Sequence, residues 1–185
     1  GPYQRQGKVF RPDSRLSVAQ AVDKDYRGSG WTRGHMAPAA DFRWSDDAMN
    51  DTFRFTNCCP QSQVLNANGW DALEGRVRNW ARVFGSVWVV TGPIIGEREN
   101  GRIGLNQVTV PDAFFKAILA QKDGQWHAVA FVMHNNDIPQ DYPNCAMSVD
   151  KLEGLTGIDF FYQLPDSIQS VVEHDFTVAD WTVCR

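Results

Sequence analysis

Two apolar runs, residues 114–120 and 127–133, stand on either side of the turn dipeptide Asp123-Gly124. That arrangement predicts two antiparallel strands joined by a tight turn, which commits the chain to building a sheet. What surrounds the pair is mixed. Residues 87–91 read as a short buried strand ending at Gly92-Pro93, and residues 52–56 alternate like a strand. Asn100-Gly101 marks a turn before a strand over 103–110. Residues 70–84 carry Trp70, Leu73, Val77, Trp80, Ala81 and Phe84 at helical spacing, with Glu74, Arg78 and Arg82 four apart on the other face. Ser148 is placed to cap a helix running through Leu155 and closed by Gly157, and Asp166 opens another towards Glu173. Residues 1–30 read as irregular surface chain. Strands grouped together with helices between them predict an α+β fold, a central and mainly antiparallel sheet flanked by helices. No repeat, low-complexity tract or long linker divides the chain. Residues 1–185 therefore read as a single domain, with residues 1–4 a tag remnant or disordered.

With 185 residues, 43% of them hydrophobic and 12% aromatic, the chain can bury a sizeable core and does not have the composition of a disordered protein. No apolar run is long enough to span a bilayer. The N-terminus lacks a signal-peptide pattern, but Gly1-Pro2 fits a tag-cleavage scar, behind which a targeting segment would be missing. The net charge of −4 weighs against a nucleic-acid partner. It is offset locally, because Arg76, Arg78 and Arg82 crowd one stretch without an acid and screening makes potential a local matter. The four cysteines, Cys58, Cys59, Cys145 and Cys184, include no C-x-x-C pair, which argues against a zinc ribbon or a thioredoxin-like motif. Cys58 and Cys59 are neighbours and could form only a strained ring, so free buried thiols are expected. Cys145 and Cys184 could pair, tying down the C-terminus and suiting an oxidising compartment. The residues alone leave that open.

The chemistry concentrates in two stretches. The first, Arg27-Gly28-Ser29-Gly30-Trp31-Thr32-Arg33-Gly34-His35, sets His35 two residues after Arg33 among glycines that open room for a bulky substrate. A neutral imidazole can serve there as a general base. A lone histidine is more often a packed, hydrogen-bonded residue; Arg33 and the glycines single out His35, since His127, His134 and His174 lack such neighbours. In the second stretch Asn66 offers a neutral, hard oxygen of the kind Mg²⁺ accepts while keeping most of its waters, although an asparagine before a helix ordinarily serves a turn. Glu74 follows eight positions on. If one helix included both, their side chains would lie within roughly 80° of each other, and Glu74 could reach a hydrated metal through water. Arg78 would share that face. Phosphodiester hydrolysis needs such a set: a water activated by His35, a metal at Asn66, and Arg33 with Arg78 for the phosphate charge.

These residues bear a family likeness. The stretch ending Thr32-Arg33-Gly34-His35 resembles the D-R-G-H signature of the DNA/RNA non-specific endonucleases, the ββα-metal or His-Me finger group. The likeness continues through Arg43-Trp44-Ser45, Thr56-Asn57-Cys58-Cys59-Pro60-Gln61, Leu65-Asn66, Leu73-Glu74, Arg78 and Thr91-Gly92-Pro93, and covers most of the chain from about residue 5. It implies a Mg²⁺ site, with Mn²⁺ as a substitute, and cleavage of DNA and RNA to 5′-phosphate products. By position it makes His35 the general base, Asn66 the direct metal ligand, and Glu74 the carboxylate that orients the metal's waters. Arg33 and Arg78 fall near the scissile phosphate, Asn57 beside the site, and Lys8 or Arg5 supplies a further basic contact upstream. It also raises the expectation of a Cys145–Cys184 disulfide, hence of a secreted or periplasmic protein, and leaves room for a protein inhibitor and a homodimer. One position departs: Thr32 stands where the signature has Asp. Thr32 and the acidic balance support the alternative of a nuclease-like module that binds nucleic acid or protein without turnover. A zinc site built from His35, Cys58 and Cys59 is a third reading, disfavoured because adjacent cysteines seldom face one ion.

Overall fold

In the computed structural model, which describes residues 1–97, 100–177 and 180–181, the apolar hairpin becomes the centre of a four-stranded antiparallel sheet. The N-terminal half runs α1 (Asp23–Tyr26), β1 (Thr32–His35), α2 (Asp46–Thr52), β2 (Cys58–Gln61), α3 (Gln63–Ala67), α4 (Gly69–Phe84) and β3 (Val87–Ile94). It continues through β4 (Arg102–Ile103), β5 (Val108–Thr109), β6 (Ala113–Lys122), β7 (Gln125–His134), β8 (Ala146–Met147), α5 (Val149–Thr156) and α6 (Asp166–Val172). The sheet order is β3-β6-β7-β8, with β1–β2 and β4–β5 as separate two-stranded ribbons. Asp123 and Gly124 both take positive φ, 51° and 79°, the left-handed pair that a tight hairpin turn requires.

Side-chain alternation along β6 divides the core into two layers. Phe114, Ile118 and Ala120 pack with Leu73, Val77 and Trp80 of α4, whereas Phe115, Ala117 and Leu119 pack with Val149 and Leu152 of α5 and with Phe160. A third cluster, built on Tyr26, Phe55, Cys58, Ile103 and Val110, includes Cys58 of the β1–β2 ribbon. The α4 helix is the predicted one, begun a residue earlier. α5 is capped by the Ser148 hydroxyl, which accepts from Lys151 N–H, and is closed by Gly157 at φ 69°.

Several expected elements differ. Residues 52–56 form no strand: α2 ends at Thr52, and Phe55–Asn57 make a 3₁₀ turn. The alternation there arises because Phe53 and Phe55 both turn inward around Phe10. The strand over 87–91 extends through Gly92 and Pro93, and it is exposed rather than buried because β3 is the sheet edge, where proline is tolerated. The single strand over 103–110 is instead the short β4–β5 hairpin. Cys145 is a free thiol, so the expected bridge is not supported, and its proposed partner Cys184 lies outside the described residues. Among the described residues no helix is long and apolar enough to cross a membrane.

The β1–β2 register pairs Thr32 with Gln61 and Gly34 with Cys59. A Cβ added at Gly34 would lie 2.2 Å from Gln61 Oε1 and 2.7 Å from its Cβ, and Gln61 is fully buried. Gly34→Ala is therefore expected to destabilise the fold by about 1–3 kcal/mol in urea unfolding. Gly154→Ala in α5, where the new Cβ meets nothing within 4 Å, should stabilise by about 0.5–1 kcal/mol. Equal effects of the two changes would show that the strand contact at Gly34 is slack.

Candidate active site

Strand β1 delivers Arg33 and His35 to the wall of a cavity of about 250 Å³. Asn66 from α3 and Glu74 from α4 line the same cavity, with Arg5, Arg43 and Asp71. The single-helix premise that placed Asn66 and Glu74 on one face does not hold. The chain breaks at Asn68, with φ −125° and ψ −89°, and α3 and α4 are separate helices. The two side chains meet at the cavity by that bend rather than by helical periodicity.

The His35 ring is half-buried, 5.2 Å from the Phe10 ring centroid and edge-on to Phe53 at 4.8 Å. Burial, aided by the Arg5 charge, lowers its pKa to about 4, so the imidazole is neutral at physiological pH. Its Nε2 is buried without a hydrogen-bond partner. The segment leaving His35 is stapled by Asn57, whose Oδ1 accepts from Ala37 N–H at 3.0 Å while its Nδ2 donates to the Ala37 and Thr52 carbonyls at 2.9 Å. Asn57 is thus committed to backbone and fixes the position of its neighbours.

Arg33 packs its guanidinium against the rings of Phe10 and Tyr26, at 5.8 and 5.4 Å, and pairs with Asp23. Its Nε is buried and unpartnered. Asn66 Nδ2 donates to Thr32 Oγ1 at 2.9 Å, and the Thr32 hydroxyl donates in turn to the Gln61 carbonyl at 2.8 Å. This relay fixes which way the Asn66 amide faces. Among the described residues no donor reaches Asn66 Oδ1, the atom a hard cation would take.

Glu74 also borders a second cavity, of about 440 Å³, together with Asp41, Thr91 and Lys116. Sequence reasoning missed Lys116. It is 2% exposed, donates to Thr91 Oγ1 at 3.0 Å and lies 4.6 Å from the Trp70 ring centroid. Burial pushes Glu74 up and Lys116 down, and the opposite charge of each only partly offsets that shift in the other. A lysine in the middle of an otherwise apolar strand was the available signal. Arg43 was also unassigned, although it stands within the quoted likeness.

Two expected phosphate contacts lie elsewhere. Lys8 is ion-paired with Asp46 and does not line the cavity, whereas Arg5, the other upstream candidate, does. Arg78 pairs with Asp41 at 3.0 Å and is not among the lining residues either. The zinc alternative fails on geometry: the neighbouring thiols part to different packing clusters, Cys58 with Tyr26 and Phe55 and Cys59 against the α4 layer, and among the described residues no group of three metal-ligating side chains joins them to His35.

Residues 2–167 match the DNA/RNA non-specific endonuclease family. The mitochondrial nuclease EXOG of Xenopus laevis is 37% identical over 179 residues, 89% of this chain and 50% of that protein. Mitochondrial endonuclease G of Homo sapiens is 38% identical over 164 residues, 82% of this chain and 55% of that protein. The chain thus spans about half the length of the curated relatives it matches. A solved structure described as an EndoG/EndoGI complex superposes with a TM-score of 0.83 at 29% identity, covering 90% of this chain and 74% of that one. The mitochondrial names of these relatives, which include Nuclease 1 of Schizosaccharomyces pombe, overturn the expectation of a secreted or periplasmic protein. By family match and by fold, this chain belongs to the DNA/RNA non-specific endonucleases.

Proposed function

We propose that the chain is a metal-dependent endonuclease that hydrolyses phosphodiester bonds of DNA and RNA, with Mg²⁺ or Mn²⁺ and 5′-phosphate products. One observation carries this reading. Two buried nitrogens without partners, His35 Nε2 and Arg33 Nε, belong to residues of one cavity that Asn66 and Glu74 also line. A buried polar atom left unpaired costs about 1–3 kcal/mol, so such atoms in a cavity point to a ligand that pairs them. An anion beside Arg33 and a water beside His35 would do so. The mitochondrial relatives support a mitochondrial setting, and the solved neighbour, a complex of EndoG with its inhibitor EndoGI, supports a protein inhibitor as a partner.

His35 would take the proton of the attacking water through Nε2; burial keeps the ring neutral and able to accept but weakens it as a base, and the negative charge of a bound phosphate would raise its basicity again. Arg33, assisted by Arg5 and Arg43, would hold the phosphate, directing contacts to the backbone rather than to bases. Asn66 fits a hard metal through Oδ1, and Glu74 would hold the metal's waters. When bound, the metal supplies positive charge to the non-bridging and leaving oxygens. Thr32 and Asn57 are positioning residues: one orients the Asn66 amide, the other the segment behind His35. With base, ligand and carboxylate at one cavity, the turnover-free binding module has only Thr32 and the net charge behind it.

Four outcomes test this reading. In cleavage of supercoiled plasmid and of RNA with added Mg²⁺, His35→Ala should lose about 10²–10⁴-fold in kcat. Asn66→Ala and EDTA should each abolish detectable turnover; full activity in either variant would remove these roles, and inactivity of folded wild type with every divalent ion would leave the binding module. Thr32→Val should raise the Mg²⁺ concentration for half-maximal cleavage about 10-fold, as loss of a ligand-orienting bond does, with Thr32→Ser close to wild type. The His35 ring resonances should stay constant from pH 8 down to about 5.5 and move only near pH 4. A midpoint near 6.5 would mean that solvent reaches the ring.

A further inference from the structure

On the sheet face opposite α4, three carboxylates converge away from the nuclease cavity. Asp150 and Glu153 lie one helical turn apart on α5, and Glu173 stands at the C-terminal end of α6. One carboxylate oxygen from each lies within 4.8 Å of the others. Three oxygens at the outer limit of that spacing lie about 2.8 Å from their common centre, so a small inward turn of the carboxylates would bring them to the cation–oxygen bonds of about 2.4 Å that calcium makes. The two segments are already joined by Asp150 N–H donating to the Glu173 carbonyl at 3.0 Å.

An acidic cluster by itself says little. Here a second feature points to a ligand. Glu173 is only 3% exposed, and its Oε1 is fully buried with no hydrogen-bond partner. Glu153 has one oxygen occupied by Phe160 N–H at 2.7 Å, and Asp150 meets His174 Nδ1 at 3.1 Å. Among the described residues that exposed histidine is the one basic group paired with the three acids. Burial first, then the charges of Glu153, Asp150 and Asp159, push Glu173 up to about 7, and Gln169 alone pulls the other way. A buried carboxylate beside two others needs either a proton or a cation.

We propose that Asp150, Glu153 and Glu173 form a structural divalent-cation site of the calcium class, which clamps α5 to the end of α6. Three carboxylates with water completing the shell are a donor set that Ca²⁺ accepts in its flexible coordination. The site is separate from Asn66: α5 packs on Phe115, Ala117 and Leu119, whereas α4 packs on Phe114 and Ile118 across the sheet.

The test is the melting temperature of the full chain with and without CaCl₂, together with calorimetric titration of CaCl₂. Wild type and Asn66→Ala should gain alike, about 5 °C or more at a hundredfold excess over Kd. Asp150→Asn, at an exposed position, and the isosteric Glu173→Gln should each lose the gain and the binding heat, yet keep Mg²⁺-dependent plasmid cleavage. A gain that vanishes in Asn66→Ala but survives in Glu173→Gln would place the ion in the nuclease cavity and overturn the proposal. So would a chain insensitive to Ca²⁺ whose stability falls as pH rises from about 4.5 through 7. That pattern belongs to a Glu173 carboxyl that keeps its proton when folded and must lose it as it ionises.

Discussion

The hydrogen-bonded relay from Asn66 through Thr32 to the Gln61 carbonyl is the constraint on which the active-site geometry rests. It joins three elements that are remote in sequence: β1, which carries His35; β2, which fixes the register of β1; and α3, which carries Asn66. The approach of β1 to β2 is close enough that only hydrogen fits at Gly34 against Gln61. Were the strands to separate by the width of a methyl group, Thr32 would leave both partners and the Asn66 amide could turn over. Gln61 has the same dependence on fit, since both its amide atoms are buried and unpartnered. Packing rather than hydrogen bonding holds that side chain, at a cost of desolvation that the surrounding core must offset.

Electrostatics at the cavity is a matter of buried opposites rather than of net charge. The chain carries −4 in total, yet Arg5, Arg33 and Arg43 line one cavity. Arg33 is held there partly by Phe10 and Tyr26, whose ring faces attract a cation without consuming its donors. Lys116 answers Glu74 from the core side. Removing either charge would leave the other buried without the opposite charge that offsets its desolvation. Lys116 thus lessens, without cancelling, the burial that favours a protonated Glu74 at the cavity.

The elements most legible in the sequence were those whose signals are local. The β6–β7 hairpin announces itself by two apolar runs and Asp-Gly, and α5 by Ser148 and Gly157, because turn and cap chemistry acts over a few residues. Residues 52–56 misled because alternation of Phe53 and Phe55 records only that both are buried; a 3₁₀ turn around Phe10 buries them as well as a strand would. Val89 and Val90 have strand-forming side chains, but their exposure depends on β3 being an edge, and that is a property of sheet order. The site divides in the same way. Motif and likeness singled out His35, Asn66, Glu74 and Arg33, which line one cavity, whereas that Arg5 reaches this cavity and Lys8 does not depends on Asp46, a partner 38 residues from Lys8. Lys116 was hidden because a charge in an apolar run gains meaning only when Glu74 is seen beside it.

Thr32 shows why a departure from the family signature need not dismantle the site. On the proposed role of Asn66, what the position must do is accept from Asn66 Nδ2, which leaves the amide oxygen free. A hydroxyl does this and passes its own proton to the Gln61 carbonyl, using both of its capacities. An aspartate would accept from Asn66 as well, but as a carboxylate it could not donate to the Gln61 carbonyl, and two acceptors facing each other would repel. Threonine therefore suits this pairing of β1 with β2, whose register sets residue 32 opposite Gln61. The exchange removes one negative charge beside Asn66, so on the proposed role of Asn66 its expected effect falls on metal affinity before it falls on the chemical step.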